Sequence, residues 1–348
     1  MSISKKGLNN IFFILGVAAC IIMLFTFDVS FVELWHHICH AGYWMIPIVG
    51  VWFLIYLINA LAWNSVINGT KSKDEHVSFL RIYRLTITGY ALNYATPVGG
   101  LGGEPYRIVE LSRDIDKRRA TSSVILYAMM HVFAHFWLWF TSIFFYIGLW
   151  LIEGDDVISM DTSVKIVLGM IFCFCLCAFY LFSRGYKNGL VVKVLKFIGH
   201  IPGLKNWSAR FCETHKDALE NIDRQIAALH AQDKRAFYQS FFLEYLSRMV
   251  QALEIMFMLL LLDKGCGTGV EGLVLTYFHS VIILAFTTLV ANMIGFLPMQ
   301  LGVQEGGFAL SIAAMGLTPA VGMFVSIICR VREIVWIAVG VALMKIKG

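Results

Sequence analysis

Residues 96–105 read Thr-Pro-Val-Gly-Gly-Leu-Gly-Gly-Glu-Pro, and how this run is housed decides the fold. Four glycines and two prolines cannot sustain a helix. Glu104 is also the only charged residue from Leu85 to Pro105. The meaning of such a stretch depends on whether the chain around it lies in water or in lipid.

Composition answers that question. The chain has 348 residues, 58% of them hydrophobic and 15% charged, with a mean hydropathy of +0.72. Several uncharged runs are long enough to cross a bilayer. The expected fold class is therefore an all-α polytopic membrane protein. The net charge of +5 is modest and predicts no nucleic-acid partner. Eight cysteines show no paired metal-ligand spacing, and Cys173, Cys175 and Cys177 read as small packing residues. Val17-Ala18-Ala19-Cys20 resembles a lipoprotein cleavage box, but the apolar run continues to Phe27, which predicts an uncleaved first span.

Hydropathy places spanning helices at about 11–27, 43–63, 120–151, 163–183, 236–262 and 318–344. Segments 1–10, 64–84, 106–119, 184–235 and 345–348 hold 23 of the 28 Lys and Arg residues, whereas loops 28–42, 151–162 and 263–271 hold only Lys264. The positive-inside rule then puts both termini in the cytoplasm of a cell (inner or plasma) membrane. Within 184–235, apolar residues at helical spacing predict cytoplasmic amphipathic segments on the inner leaflet; a solvated loop is the alternative.

Two uncharged regions remain, 85–103 and 272–304. Basic residues flank the first on both sides (Arg81 and Arg84, Arg107 and Arg113), so the chain returns to the side it left. From Leu85 to Pro97 a helix reaches only about 20 Å, short of a core of about 30 Å. A re-entrant helix–break–helix hairpin is expected, its tip carrying Pro97, Gly102 and Gly103. Broken backbone at membrane depth survives only when buried in protein or lining a wet cavity. A second copy has Pro298, Gly302 and Gly306 at its tip. The order Asn, Pro, Leu-Gly, Glu recurs from Asn93 to Glu104 and from Asn292 to Glu305. Because the second hairpin is entered from the opposite side, the layout predicts an inverted repeat, with repeat 1 at about 77–151 and repeat 2 at about 272–344 of one 1–348 membrane domain. Residues 272–297 are also long enough to span alone.

Charges inside these helices are costly, on the order of 2.5–3.5 kcal/mol each at the centre. Glu305 is the only Asp, Glu, Lys or Arg between Gly272 and Cys329. Glu104 is its mirror, with Arg107 one turn later. Glu244 and Arg248 share a helix face, Arg248 lying about 18 Å from the cytoplasmic end. Glu254, Arg330, Arg332 and Glu333 complete the set. Arginine forks bind phosphate bidentately, so a phosphate-bearing headgroup is one natural guest; an internal salt-bridge network is the other reading. His131 and His135, four apart, have metal spacing, but aromatic neighbours favour packing. No metal, cofactor or catalytic residue is expected.

The pattern Asn-x-x-x-Pro…Gly-Gly-Glu-Pro-x-Arg, followed by Pro…Leu-Gly-x-x-Glu-Gly-Gly and a late Arg-bearing helix, resembles the flippase-like membrane region of lysylphosphatidylglycerol synthases, over about 40–344. That resemblance implies a lipid-translocating domain with re-entrant helices. Motif matching carries over Glu104, Arg107, Glu305 and Arg330 as site candidates, beside Glu244 and Arg248 from the charged helix. The family's synthases continue into a soluble aminoacyltransferase domain. This chain ends at Gly348, so a stand-alone lipid transporter is expected rather than an aminoacyltransferase.

The leading function is a membrane flippase moving a phosphate-bearing lipid, anionic or aminoacylated, between leaflets. The alternative is a membrane enzyme, or enzyme partner, acting on phospholipid headgroups or polyprenyl phosphates. Expected partners are a phospholipid or similar amphiphile and the bilayer itself; homo-oligomerisation stays open.

Overall fold

The computed structural model describes residues 39, 41–69, 76–95, 102–155, 158–187, 210, 212–214, 219–220, 234–293 and 303–345. The predicted span 11–27, the tip residues Pro97, Pro298 and Gly302, and most of segment 184–235 lie outside the described residues. Among those described, the chain is helical without strands. After a 3-10 turn at Gly42–Trp44 come α1 (Met45–Asn68), α2 (Phe79–Ala95), α3 (Gly103–Leu111), α4 (Lys117–Glu153) and α5 (Thr162–Lys187). They are followed by α6 (Lys234–Leu261), α7 (Gly269–Met293), α8 (Val303–Ala314) and α9 (Pro319–Leu343). The protein is an all-α polytopic membrane protein.

Local chemistry sets several boundaries. The Asp116 carboxylate accepts from Arg118 N–H at 2.8 Å and caps α4. α9 starts with Pro319 in its first turn, where a missing N–H costs nothing. A side chain ties α2 to α3: Asn93 Oδ1 accepts from the first N–H of α3, that of Gly103, at 2.6 Å.

Four described helices are long and apolar enough to cross a membrane: Gly42–Asn68, Lys117–Glu153, Thr162–Ser183 and Gly269–Met293. α6 and α9, with 28 and 25 residues, have the length as well. They lack the composition because they carry the ionised groups that the interior pairs. α2 has 17 residues, about 26 Å, and stays short of the hydrocarbon core. α7 differs from a short re-entrant arm, since its 25 residues reach about 37 Å.

Burial identifies what faces lipid. α5 is mostly exposed and apolar, showing Ile166, Met170, Phe174, Leu176, Tyr180 and Leu181 to the outside. Of its cysteines, Cys175 packs inward while Cys173 and Cys177 face outward. Polar and charged residues, conversely, are buried on α2, α3, α6 and α9. An exterior this apolar around an interior this polar suits a bilayer.

The described helices of the two halves share an order: a helix, a short helix with glutamate in its first turn, then a long helix. Glu104 is in the first turn of α3 and Glu305 in that of α8. Packing is reciprocal between the halves. α2 lies against α9, the long helix of the other half, and α7 lies against α4. α6 packs most extensively on α1 and braces the centre.

Candidate functional site

Between the two halves is a cavity of about 480 Å³, lined by residues from α1, α2, α3, α4, α6, α7, α8 and α9. Its ionisable lining comprises Glu104, Arg107, His131, His135, Arg248, Glu254, Arg330, Arg332 and Glu333, with Tyr90, Tyr94 and Tyr127 among them. The charges fall into three clusters.

The first belongs to α2 and α3. Arg107 is 1% exposed, and its Nη1 meets Glu104 Oε1 at 3.1 Å. Its Nη2 donates to the Thr86 carbonyl at 3.2 Å, and the guanidinium sits 4.8 Å from the Tyr90 ring centroid and 5.4 Å from that of Tyr127. Space for it comes from Gly89, where an added Cβ would collide with Arg107 Nε. Asn93 Nδ2 donates to Glu104 Oε1 at 3.2 Å, so one asparagine serves both the helix start and the carboxylate. Backbone carbonyls, a carboxylate and aromatic faces thus replace water around a buried cation.

The second joins α4 to α6. Glu244 is fully buried, and its Oε2 is 2.8 Å from His131 Nδ1 and 3.4 Å from Arg248 Nη2. Arg248 Nη1 donates to Gln251 Oε1 at 2.9 Å. His131 also reaches Tyr90 Oη at 2.9 Å, and that hydroxyl is 3.2 Å from Tyr127 Oη.

The third holds α9 to α8, α6 and α1. Arg330 Nη2 meets Glu305 Oε1 at 3.0 Å and its Nη1 meets Glu333 Oε2 at 2.9 Å. Arg332 Nε meets Glu254 Oε1 at 2.8 Å, with its guanidinium carbon 3.9 Å from the Trp52 ring centroid. Trp52 Nε1 donates to Glu254 Oε2 at 2.8 Å, and Gln304 Nε2 to Glu333 Oε1 at 3.3 Å.

Of the residues expected from sequence, Glu104, Arg107, Arg248 and Arg330 line the cavity. Glu244 and Glu305 stand behind them, each as the counterion of a lining arginine. Gly103 opens α3, Gly102 is the residue before it, and Gly306 lies within α8, directly after Glu305. Sequence reading placed Glu254, Arg332 and Glu333 at membrane depth without assigning them to the site; long-range pairing puts them there. His131 does pack against rings, those of Tyr90, Tyr127 and His135, and beyond the expected packing it has an acid, a guanidinium and a phenol within hydrogen-bond distance. His135 Nδ1 faces the His131 carbonyl at 3.0 Å. A guanidinium 2.7 Å from His131 Nδ1 disfavours a metal ion there.

A separate cluster occurs where α4 ends near the start of α7. His279 Nε2 contacts Glu153 Oε2 at 2.8 Å, and one ligand atom each from Glu153, Cys266 and His279 lie within 4.8 Å of one another. Burial pushes the Cys266 thiol up. A hydrogen-bonded Glu–His latch accounts for this geometry.

Comparisons with known proteins agree with the architecture. The family described as the lysylphosphatidylglycerol synthase TM region matches residues 13–340. The UPF0104 membrane protein MJ1595 of Methanocaldococcus jannaschii is 24% identical over 288 residues, covering 80% of this chain and 76% of that protein.

Proposed function

The chain belongs to the lysylphosphatidylglycerol synthase transmembrane-region family, and from that premise we propose that it is a lipid flippase. It moves a phosphate-bearing amphiphile, anionic or aminoacylated, between the leaflets of a cell membrane with both termini in the cytoplasm. The observation carrying this reading is the convergence of Arg107, Arg248, Arg330 and Arg332, from both halves, on one cavity inside an apolar shell. The headgroup enters this polar space while the acyl chains remain in lipid. Glu104, Glu244 and Glu305 hold the arginines charged and in place when no headgroup is bound.

The reciprocal packing of α2 on α9 and α7 on α4 supports an inverted repeat whose two arms gate the cavity alternately. On this reading the breaks between α2 and α3 and between α7 and α8 are the hairpin tips. The test is the purified protein reconstituted in phosphatidylcholine vesicles with a fluorescent phosphatidylglycerol in both leaflets. Quenching from outside should consume the inner-leaflet pool only in vesicles containing the protein. Retention of that pool would overturn the proposal, and a changed lipid mass would favour the enzymatic alternative.

A further inference from the structure

The cavity and its counterions hold five carboxylates (Glu104, Glu244, Glu254, Glu305, Glu333) against four guanidinium groups (Arg107, Arg248, Arg330, Arg332). The ionised set is one negative charge in excess, so an incoming phosphate needs positive charge from elsewhere. We propose that His131 supplies it, taking up a proton together with an anionic headgroup; this rests on the flippase reading and specifies its ion coupling.

The geometry at His131 lets one added proton change what the ring holds. Its Nδ1 lies 2.8 Å from Glu244 Oε2, a contact that is favourable when Nδ1 carries hydrogen and Glu244 is ionised. Arg248 Nη2, a permanent donor, lies 2.7 Å from Nδ1 and 3.1 Å from Nε2, and the ring must offer it a lone pair. The neutral ring meets both partners when Nδ1 donates to Glu244 and Nε2 accepts from Arg248. In that form imidazole holds Arg248 on the protein. With both ring nitrogens protonated, Nδ1–H donates to Glu244, while the imidazolium repels Arg248 and releases that guanidinium toward the cavity. The proton comes from the surrounding solution, and the set goes from one negative charge in excess to neutral.

The groups facing His131 from every side are compatible with this exchange. Tyr90 on α2 presents a hydroxyl at 2.9 Å, which either donates or accepts. Tyr127 and His135 are on its own helix, α4, and Glu244 and Arg248 are on α6. Arg107 on α3 packs against the Tyr90 and Tyr127 rings. Asn59 on α1 donates to Tyr90 at 3.4 Å. Among the described residues, Glu244 Oε1 and Arg248 Nε make no hydrogen bond, and Arg248 lines the cavity. A carboxylate and a guanidinium so placed have spare capacity to rearrange around one imidazole. Reciprocity then follows: a proton that strengthens anion binding is itself bound more tightly when the anion is present.

The experiment titrates detergent-solubilised full-length protein with dihexanoyl-phosphatidylglycerol by calorimetry, in buffers of different ionisation enthalpy between pH 5 and 9. Wild type should take up close to one proton per lipid at the alkaline end, and affinity should fall about tenfold per pH unit there. His131→Gln should abolish the uptake and flatten the profile. His131→Arg, which carries a permanent charge, should flatten it with affinity retained. Binding by wild type without proton uptake, or the wild-type profile in His131→Gln, would overturn the inference. Should both variants misfold, the wild-type proton count still decides. Leaflet exchange of the fluorescent lipid that persists unchanged across pH would overturn the coupling and leave the flippase reading standing. Loss of both binding and exchange in wild type would overturn both.

Discussion

Single residues in this interior do two kinds of work. Arg332 is 3% exposed and is held by Glu254, with Trp52 both beneath its guanidinium and donating to that glutamate. Such a pair belongs to the scaffold of α9 on α6 and α1. Glu254→Gln removes the counterion and leaves Glu333 Oε1, at 3.8 Å from Arg332 Nη1, as its nearest carboxylate. The expected loss is about 3–5 kcal/mol, the usual cost of orphaning a buried charge. The double replacement Glu254→Gln with Arg332→Met should recover much of it, because the uncompensated charge goes too. Thermal unfolding in detergent checks both, and a double variant no more stable than Glu254→Gln would contradict the scaffold role. Arg330 differs because its partner Glu305 is itself partly exposed, at 22%. Arg330→Lys keeps the charge between Glu305 and Glu333 but loses the planar fork. It should unfold near the wild-type temperature and bind dihexanoyl-phosphatidylglycerol several-fold more weakly. Equal binding would make Arg330 a purely structural cation.

Elements meet here through missing side chains. A Cβ on Gly103, the first residue of α3, would run into the Gly89 carbonyl of α2, and one on Gly89 would run into Arg107. Gly103→Ala should therefore push α3 away and cost about 1–3 kcal/mol or more, with Arg107 displaced from the Tyr90 face. Wild-type thermal stability in that variant would refute the tight α2–α3 approach. This contact also shows what the sequence made legible. Glycines and proline around Glu104 announced a helix break; residues 96–101 lie outside the described residues, and the described helices on either side end at Ala95 and begin at Gly103. Hydropathy and charge placed α1, α4, α5, α6 and α9 within a few residues, since long apolar runs leave few alternatives. The spacing of Glu244 and Arg248 gave a shared face and hence a contact. The pairings Arg332–Glu254, Arg330–Glu305 and His131–Glu244 were not legible, because they join residues 25 to 113 positions apart. No local period encodes such a distance. His131 looked like packing for the same reason: its aromatic neighbours are adjacent in sequence, whereas its acid is on another helix.

At the scale of the molecule, the two halves are alike in order and unlike in wiring. Glu104 pairs with Arg107 on its own helix, three residues on, while Glu305 reaches across to Arg330 on α9. Neutralising the two glutamates should therefore have unequal consequences. In Glu104→Gln, Arg107 loses its ionised partner at 1% exposure and keeps only carbonyls, an amide oxygen and ring faces. Stability should fall measurably. In Glu305→Gln, Arg330 still has Glu333 at 2.9 Å, so the fold should hold. What changes is the net charge beside the cavity-lining Arg330, which tightens the grip on an anion by removing a competing carboxylate. A carrier must release what it binds, so tighter binding to one face should slow exchange even as affinity rises. The expected pattern is a larger drop in unfolding temperature for Glu104→Gln. Glu305→Gln should instead show higher affinity for dihexanoyl-phosphatidylglycerol and slower leaflet exchange. Wild-type exchange in Glu305→Gln, at wild-type affinity, would reduce Glu305 to a pin for Arg330 and remove it from the transport cycle.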